Sequence, residues 1–187
     1  TTSSLQIQQV DARTGKRAAA IEIAPQYELA DVSPDGQFPL LRLTDGPNRH
    51  ERLDLIGINP KKHVAGWRAY ASEDSTDAAR RQGKPKNIHW AGLVDAEHAL
   101  SLSEAGRLVL WKLPECRAVW QLTGVPIHDG ITFSPGRRFI SLRLGSRMLL
   151  LESLTGKIMA HPELPQGAHI GRIAFRPDGR ECFVTYM

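Results

Sequence analysis

The residues that could do chemistry are few, and most of them are cations. Arg80, Arg81, Lys84 and Lys86 lie close to Trp90. Basic side chains beside an aromatic ring can pair with phosphates while a base stacks on the ring, as in single-strand nucleic-acid sites. Glu73, Asp74 and Asp77 offset most of that charge, which favours a solvated insertion followed by a tryptophan packed in the core. Arg137, Arg138, Arg143 and Arg147 form a second group. A patch for an acidic partner is the functional reading. Charged strands and turns that block unwanted edge pairing are the plainer reading, favoured because the four arginines are spread over several elements.

Recognisable catalytic patterns are missing. The chain has no Gly-rich phosphate loop, no Gly-x-Ser-x-Gly, no His-Glu-x-x-His and no Cys-x-x-Cys. Its seven histidines never fall at metal-ligand spacing. Cys116 and Cys182, the two cysteines, stand alone and read as free thiols. The expectation is a protein without enzymatic activity, cofactor or metal. The formal charge is +4, and residues 101–187 carry the whole excess. No run of 18 apolar residues is present, so no transmembrane helix is expected in this stretch.

These residues must be positioned by short strands. Within 128–157 the pattern is a strand at 130–133, a tight turn Ser134-Pro135-Gly136, a strand at 137–144, a short turn, and a strand at 147–153. A turn Leu154-Thr155-Gly156-Lys157 closes the unit. Pro presets φ in such turns and Gly accepts positive φ. The flanking runs are apolar, last only four to eight residues, and include consecutive apolar positions such as 108–111 and 148–151. That pattern fits strands covered on both faces.

The unit recurs. IAFRPDGRECFVTY (173–186) and ADVSPDGQFPLLRL (30–43) repeat its first half, and LQIQQVDARTGK (5–16) and GRLVLWKLPECR (106–117) its second. The markers Val32, Leu93, Phe133 and Phe175 are spaced by 61, 40 and 42 residues. A period near 40–45 residues built from four short strands is that of a propeller blade. The long first interval holds an insertion at 72–87, SEDSTDAARRQGKPKN, which has no large apolar side chain.

On these residues the chain resembles the WD40-like β-propellers: Ser-Pro-Asp-Gly (33–36), Ser-Pro-Gly (134–136) and Arg-Pro-Asp-Gly (176–179) between strands, with VDARTGK (10–16), ESLTGK (152–157) and Leu110-Trp111-Lys112 at blade ends. The resemblance implies an all-β fold of four-stranded antiparallel sheets arranged radially, about four blades' worth, as a partial propeller. Blade pieces are expected at 5–25, 26–71, 88–124, 125–165 and 168–187. The family's Gly-His pair before the first strand is missing from every copy, and so is the turn aspartate before the Trp strand. Its buried Asp–His–Ser–Trp network is therefore not expected. On the innermost strands Asp31, His89 and Arg172 become neighbours of a central channel.

The function expected is a non-catalytic scaffold that presents loops to a protein partner, within a larger protein. Two alternatives stand beside it. One is a propeller enzyme or sugar-binding propeller whose site is completed by further blades. The other is binding of a nucleic acid or acidic partner through the basic later half. The first and last pieces read as complementary half-blades. An open arc, with self-association at its edges, is expected over a closed four-bladed ring.

Overall fold

The computed structural model describes residues 5–43, 52–70, 88–127, 130–144, 146–162, 165 and 167–186. Those residues form sixteen strands in five sheets and no α-helix. Sheet 1 pairs β1 (Leu5–Val10) with β2 (Arg17–Ile23). Sheet 2 holds β3 (Tyr27–Val32), β4 (Pro39–Leu43), β5 (Arg52–Gly57) and β6 (Lys62–Trp67). Sheet 3 holds β7 (Ile88–Leu93), β8 (His98–Ser103), β9 (Leu108–Lys112) and β10 (Arg117–Leu122). Sheet 4 holds β11 (Ile131–Phe133), β12 (Phe139–Leu144), β13 (Arg147–Glu152) and β14 (Ile158–Ala160). Sheet 5 pairs β15 (Ile170–Phe175) with β16 (Cys182–Tyr186). Every pairing is antiparallel and joins strands consecutive in the chain.

The sheets stack in chain order because successive side chains of a strand point to opposite faces and both faces are apolar. On β4, Leu40 joins Leu93, Val109 and Trp111 between sheets 2 and 3, while its neighbour Leu41 joins Ile21 and Ile23 between sheets 1 and 2. On β9, Val109 and Trp111 face sheet 2, and Leu108 and Leu110 pack with Ile140 and Leu142 of sheet 4. Met148 and Leu150 meet Ile170, Ile173 and Val184 of sheet 5. This is the physical content of the consecutive apolar runs: a strand with two dry faces has no polar alternation.

The serine of each Ser-Pro turn has a structural task. Ser33 Oγ accepts the Phe38 N–H at 2.9 Å and donates to Asp35, whose carboxylate also accepts the Gln37 N–H at 3.0 Å. Ser134 Oγ accepts the Phe139 N–H at 3.0 Å. Both serines are buried. These hydrogen bonds, the Ser33 one first, hold the exposed Asp35 carboxyl below its ordinary pKa. The strand expected at 137–144 begins two residues later, because Gly136 and Arg137 both take positive φ (69° and 55°) and belong to the turn.

The insertion 72–87 lies outside the described residues. Sheets 1 and 5 remain separate two-stranded sheets, and no ladder among the described residues joins β1 to β16.

Two turn glycines with positive φ separate backbone preference from steric fit. A Cβ at Gly106 (φ 77°) would lie 2.5 Å from the Val125 carbonyl oxygen, whereas at Gly15 (φ 69°) nothing lies within 4 Å. Left-handed backbone costs a non-glycine residue about 1–2 kcal/mol. Gly15→Ala should therefore destabilise by about 1 kcal/mol and Gly106→Ala by at least about 2 kcal/mol more, the clash adding overpacking strain. Urea denaturation of the two variants checks the difference.

Candidate functional site

Asp31, a channel-side candidate, and Arg137, a patch candidate, meet each other. Arg137 Nη1 donates to Asp31 Oδ2 and to the Leu93 carbonyl, and Nη2 lies 3.1 Å from Asp31 Oδ1. Asp31 Oδ2 also accepts the Leu93 N–H at 2.8 Å. One ion pair therefore ties sheets 2, 3 and 4 together. The Arg137 guanidinium also lies over the Phe133 ring, 5.0 Å from its centre. Arg137 stands where Gly36 and Gly179 stand in the sister turns, each donating its N–H three residues back. Its side chain adds contacts to Asp31 and the Leu93 carbonyl that a glycine there could not make.

Arg143 is engaged in the same way. Its Nη1 donates to the Ile170 and Gly171 carbonyls at 3.0 and 2.9 Å, linking sheet 4 to sheet 5. Arg42, at the matching place on β4, donates to the Ile88 carbonyl and pairs with Glu28, linking sheet 2 to sheet 3. These are repeated inter-sheet clasps, and their charge is directed into the fold.

Arg138 and Arg147 are different. Arg138 is 72% exposed, lies over the Phe139 ring, and among the described residues makes a long 3.8 Å ionic contact with Glu152. Arg147 is exposed. They sit at opposite ends of β12, about 20 Å apart for six residues at ~3.3 Å each. The four arginines are thus not one continuous positive face. Arg80, Arg81, Lys84 and Lys86 lie outside the described residues. Trp90 packs against Phe133, ring centres 5.7 Å apart, in the core between sheets 3 and 4. His89 and Arg172 are exposed on β7 and β15, and among the described residues no ion pair or side-chain hydrogen bond joins either to Asp31.

Two polar networks were not singled out in the sequence. Between sheets 2 and 3, Trp111 Nε1 donates to Ser101 Oγ at 2.9 Å, Ser101 Oγ lies 2.8 Å from Tyr70 Oη, and Tyr70 donates to the Arg107 carbonyl at 3.0 Å. Each hydroxyl can accept one proton and donate one, so the chain is satisfied. It joins an indole N–H, two hydroxyls and a backbone carbonyl across the interface of sheets 2 and 3. The spacing of Ser101 and Trp111 on neighbouring strands was the signal for it.

The second network surrounds Asp54, which is 2% exposed. Its carboxylate accepts Tyr27 Oη at 3.1 Å and Arg52 Nε at 3.0 Å, and lies 2.8 Å from His63 Nε2. The space exists because residue 66 is glycine: a Cβ there would collide with Arg52 and Asp54. Burial, then the neighbouring Asp54 charge, raises the Tyr27 hydroxyl above its ordinary value, keeping it a donor. Burial likewise raises the thiols of Cys116 and Cys182. Thiols raised in this way are poor nucleophiles. Among the described residues no group of three or more His, Cys, Asp or Glu could hold a metal ion.

Comparison with known proteins fits this architecture. No family model matches the chain, and no curated protein matches it. Solved structures do. The chain is similar to the Cps50 (Swd1) β-propeller domain of Myceliophteria thermophila, with TM-score 0.58 and 14% identity over 96% of this chain and 55% of that one. It is also similar to hydrazine synthase of Kuenenia stuttgartiensis, with TM-score 0.58 and 14% identity over 97% of this chain and 49% of that one. At such identity the likeness establishes the fold alone, and that fold is a β-propeller. The chain spans about half the length of these structures.

Arg137→Ala should destabilise the protein by about 2 kcal/mol, within the range for breaking a partly buried charged pair. Arg137→Gly should cost less, because glycine is at ease in the left-handed region. A double-mutant cycle with Asp31→Asn, read by urea denaturation, should return a coupling above about 1 kcal/mol.

Proposed function

We propose that this chain is a non-catalytic propeller scaffold whose rim binds a protein partner. The observation that carries this reading is where the charged groups point. Asp31, Arg137, Arg42 and Arg143 close on one another or on backbone carbonyls between sheets, so they brace a rigid frame rather than gather around a substrate. The outermost strand of sheet 4 points the other way. Ile158 and Met159 are half exposed, as is Leu154 in the turn before them. Exposed apolar side chains on a rigid rim suit a protein contact. Arg138 and Arg147, directed to solvent, are proposed as flanking cations that favour an acidic partner surface. The likeness to the Cps50 (Swd1) β-propeller domain supports the reading by analogy of fold.

The test is a titration. A protein captured by the 187-residue chain, once purified, should bind it saturably in calorimetry. Ile158→Asp together with Met159→Asp should weaken binding at least tenfold without changing the far-ultraviolet circular dichroism. Absence of any saturable protein ligand, or equal binding by the variant, contradicts the proposal.

A further inference from the structure

We propose that the mouth of the crevice between sheets 3 and 4 takes an extended acidic segment of a protein partner. An apolar side chain of that segment lies on Trp120, between Leu154 and Ile158, and two carboxylates three residues apart meet Arg117 and Lys157. This rests on the rim-binding reading above and names the chemistry of the partner.

The turn that lines this crevice differs from its sisters. In sheets 2, 3 and 4 the turn between the third and fourth strands donates one N–H to the turn between the first and second. The pairs are Ile58 to Gln37 at 3.0 Å, Leu113 to Glu97 at 2.7 Å and Ser153 to Arg138 at 2.8 Å. Ile58, Leu113 and Ser153 are therefore equivalent. Ile58 and Leu113 are buried apolar residues that pack toward the preceding sheet. Ser153 is buried as deeply, and its Oγ has no hydrogen-bond partner. Three residues further on, Cys116 corresponds to Gly156, both with positive φ (54° and 69°). Two small residues thus stand where sheet 3 has Leu113 and Cys116.

The Trp120 indole takes up that room. Its Nε1 donates to the Ser153 carbonyl at 3.1 Å, and a Cβ on Gly156 would come within 2.8 Å of the ring. Trp120 is paired with Leu110. In the crevice between sheets 2 and 3 the same place, paired with Leu55, is held by the buried Ala65. The exchange brings an aromatic ring out to the rim, where it stays half-buried.

The residues beside the ring change in the same sense. Leu154 and Ile158 are 44% and 50% exposed. Their counterparts are Asn59 and His63 in sheet 2, and Pro114 and Ala118 in sheet 3. Ile158 is paired with Leu151, which packs between sheets 3 and 4, so Ile158 shares the face that Trp120 meets. Ring, leucine and isoleucine make an apolar mouth that the sister crevice lacks. Both sheets that form it are complete four-stranded sheets, so its exposure does not depend on the half-sheets at either end of the array.

Charge selects the occupant. Lys157 follows Gly156, and Arg117 is its counterpart one sheet away. Both are exposed, and among the described residues neither forms an ion pair. Arg138, 72% exposed, adds a third cation beside the turn. Two acids lie close by. Glu115 is exposed in the sheet 3 turn, and Glu152, 28% exposed, already accepts Thr155 Oγ1 at 2.8 Å. A mouth with this excess of cations favours an acidic partner. Stacked sheets lie about 10 Å apart, and an extended chain advances about 3.3 Å per residue. Carboxylates three residues apart therefore match Arg117 and Lys157, with the apolar side chain between them.

The test uses the 187-residue chain and a fluorescein-labelled peptide, Gly-Ser-Asp-Leu-Phe-Asp-Ser-Gly, read by fluorescence anisotropy. The peptide should bind saturably, and raising the salt from about 0.05 M to about 0.5 M should weaken it. The same peptide with asparagines for the aspartates should bind at least fivefold more weakly. Leu154→Asp should weaken the acidic peptide at least fivefold. Arg117→Glu together with Lys157→Glu should weaken it at least tenfold and instead favour the peptide with lysines for the aspartates, with the circular dichroism of the protein unchanged. No saturable binding of the acidic peptide, equal binding of the asparagine peptide, or no reversal of preference in the double variant overturns the proposal. A purified protein ligand weakened by Ile158→Asp with Met159→Asp, but not by Arg117→Glu with Lys157→Glu, leaves the rim reading standing and overturns the acidic segment.

Discussion

Each inner sheet of this protein has two dry faces, and the rest of the structure depends on that constraint. A strand such as β9 sends Leu108 and Leu110 one way and Val109 and Trp111 the other, all into apolar surroundings. A sheet of this kind cannot stand in water alone. Burying a leucine or valine side chain is worth about 1.5–3 kcal/mol, and the apolar side chains on these faces are buried against the neighbouring sheet. Stacking is therefore compulsory, and with four strands per turn of the repeat it gives the propeller.

The polar groups follow from the same constraint. Stacked sheets bring inner strands and their turns together, where unpaired carbonyls and charges would be costly. Arg42 and Arg143 meet backbone carbonyls of the next sheet. Arg137 reaches across two sheets to Asp31. The Trp111–Ser101–Tyr70 chain does the same for a buried indole N–H. Charges that look like a binding patch in one dimension are, in part, the fasteners of the stack.

Much of the fold was legible in the sequence because it is written in local terms. Apolar runs of strand length, Ser-Pro turns and a 40–42 residue spacing depend on neighbours in the chain, and the four-stranded antiparallel sheets followed from them. The start of β12 was misplaced by two residues because nothing local marks Arg137 as left-handed. The partner of its side chain, Asp31, lies 106 residues away. The arginines were legible as a cluster but not as clasps, since sequence spacing does not say which side chains cross to the next sheet. The Asp54 network was silent for a similar reason. Its room comes from the absent side chain of Gly66 on the neighbouring strand.

The central claim is that adjacent residues of one strand serve different interfaces. Double-mutant cycles on Leu40 and Leu41, each combined with Leu93→Ala and with Ile21→Ala and read by urea denaturation, test it directly. Leu40→Ala should couple to Leu93→Ala by about 0.5–3 kcal/mol, the range for residues in contact or sharing a cavity, and should add independently with Ile21→Ala. Leu41→Ala should show the reverse. Equal coupling of Leu40 and Leu41 to both partners would mean that the two faces are not separate interfaces, and would contradict the stacked-sheet account.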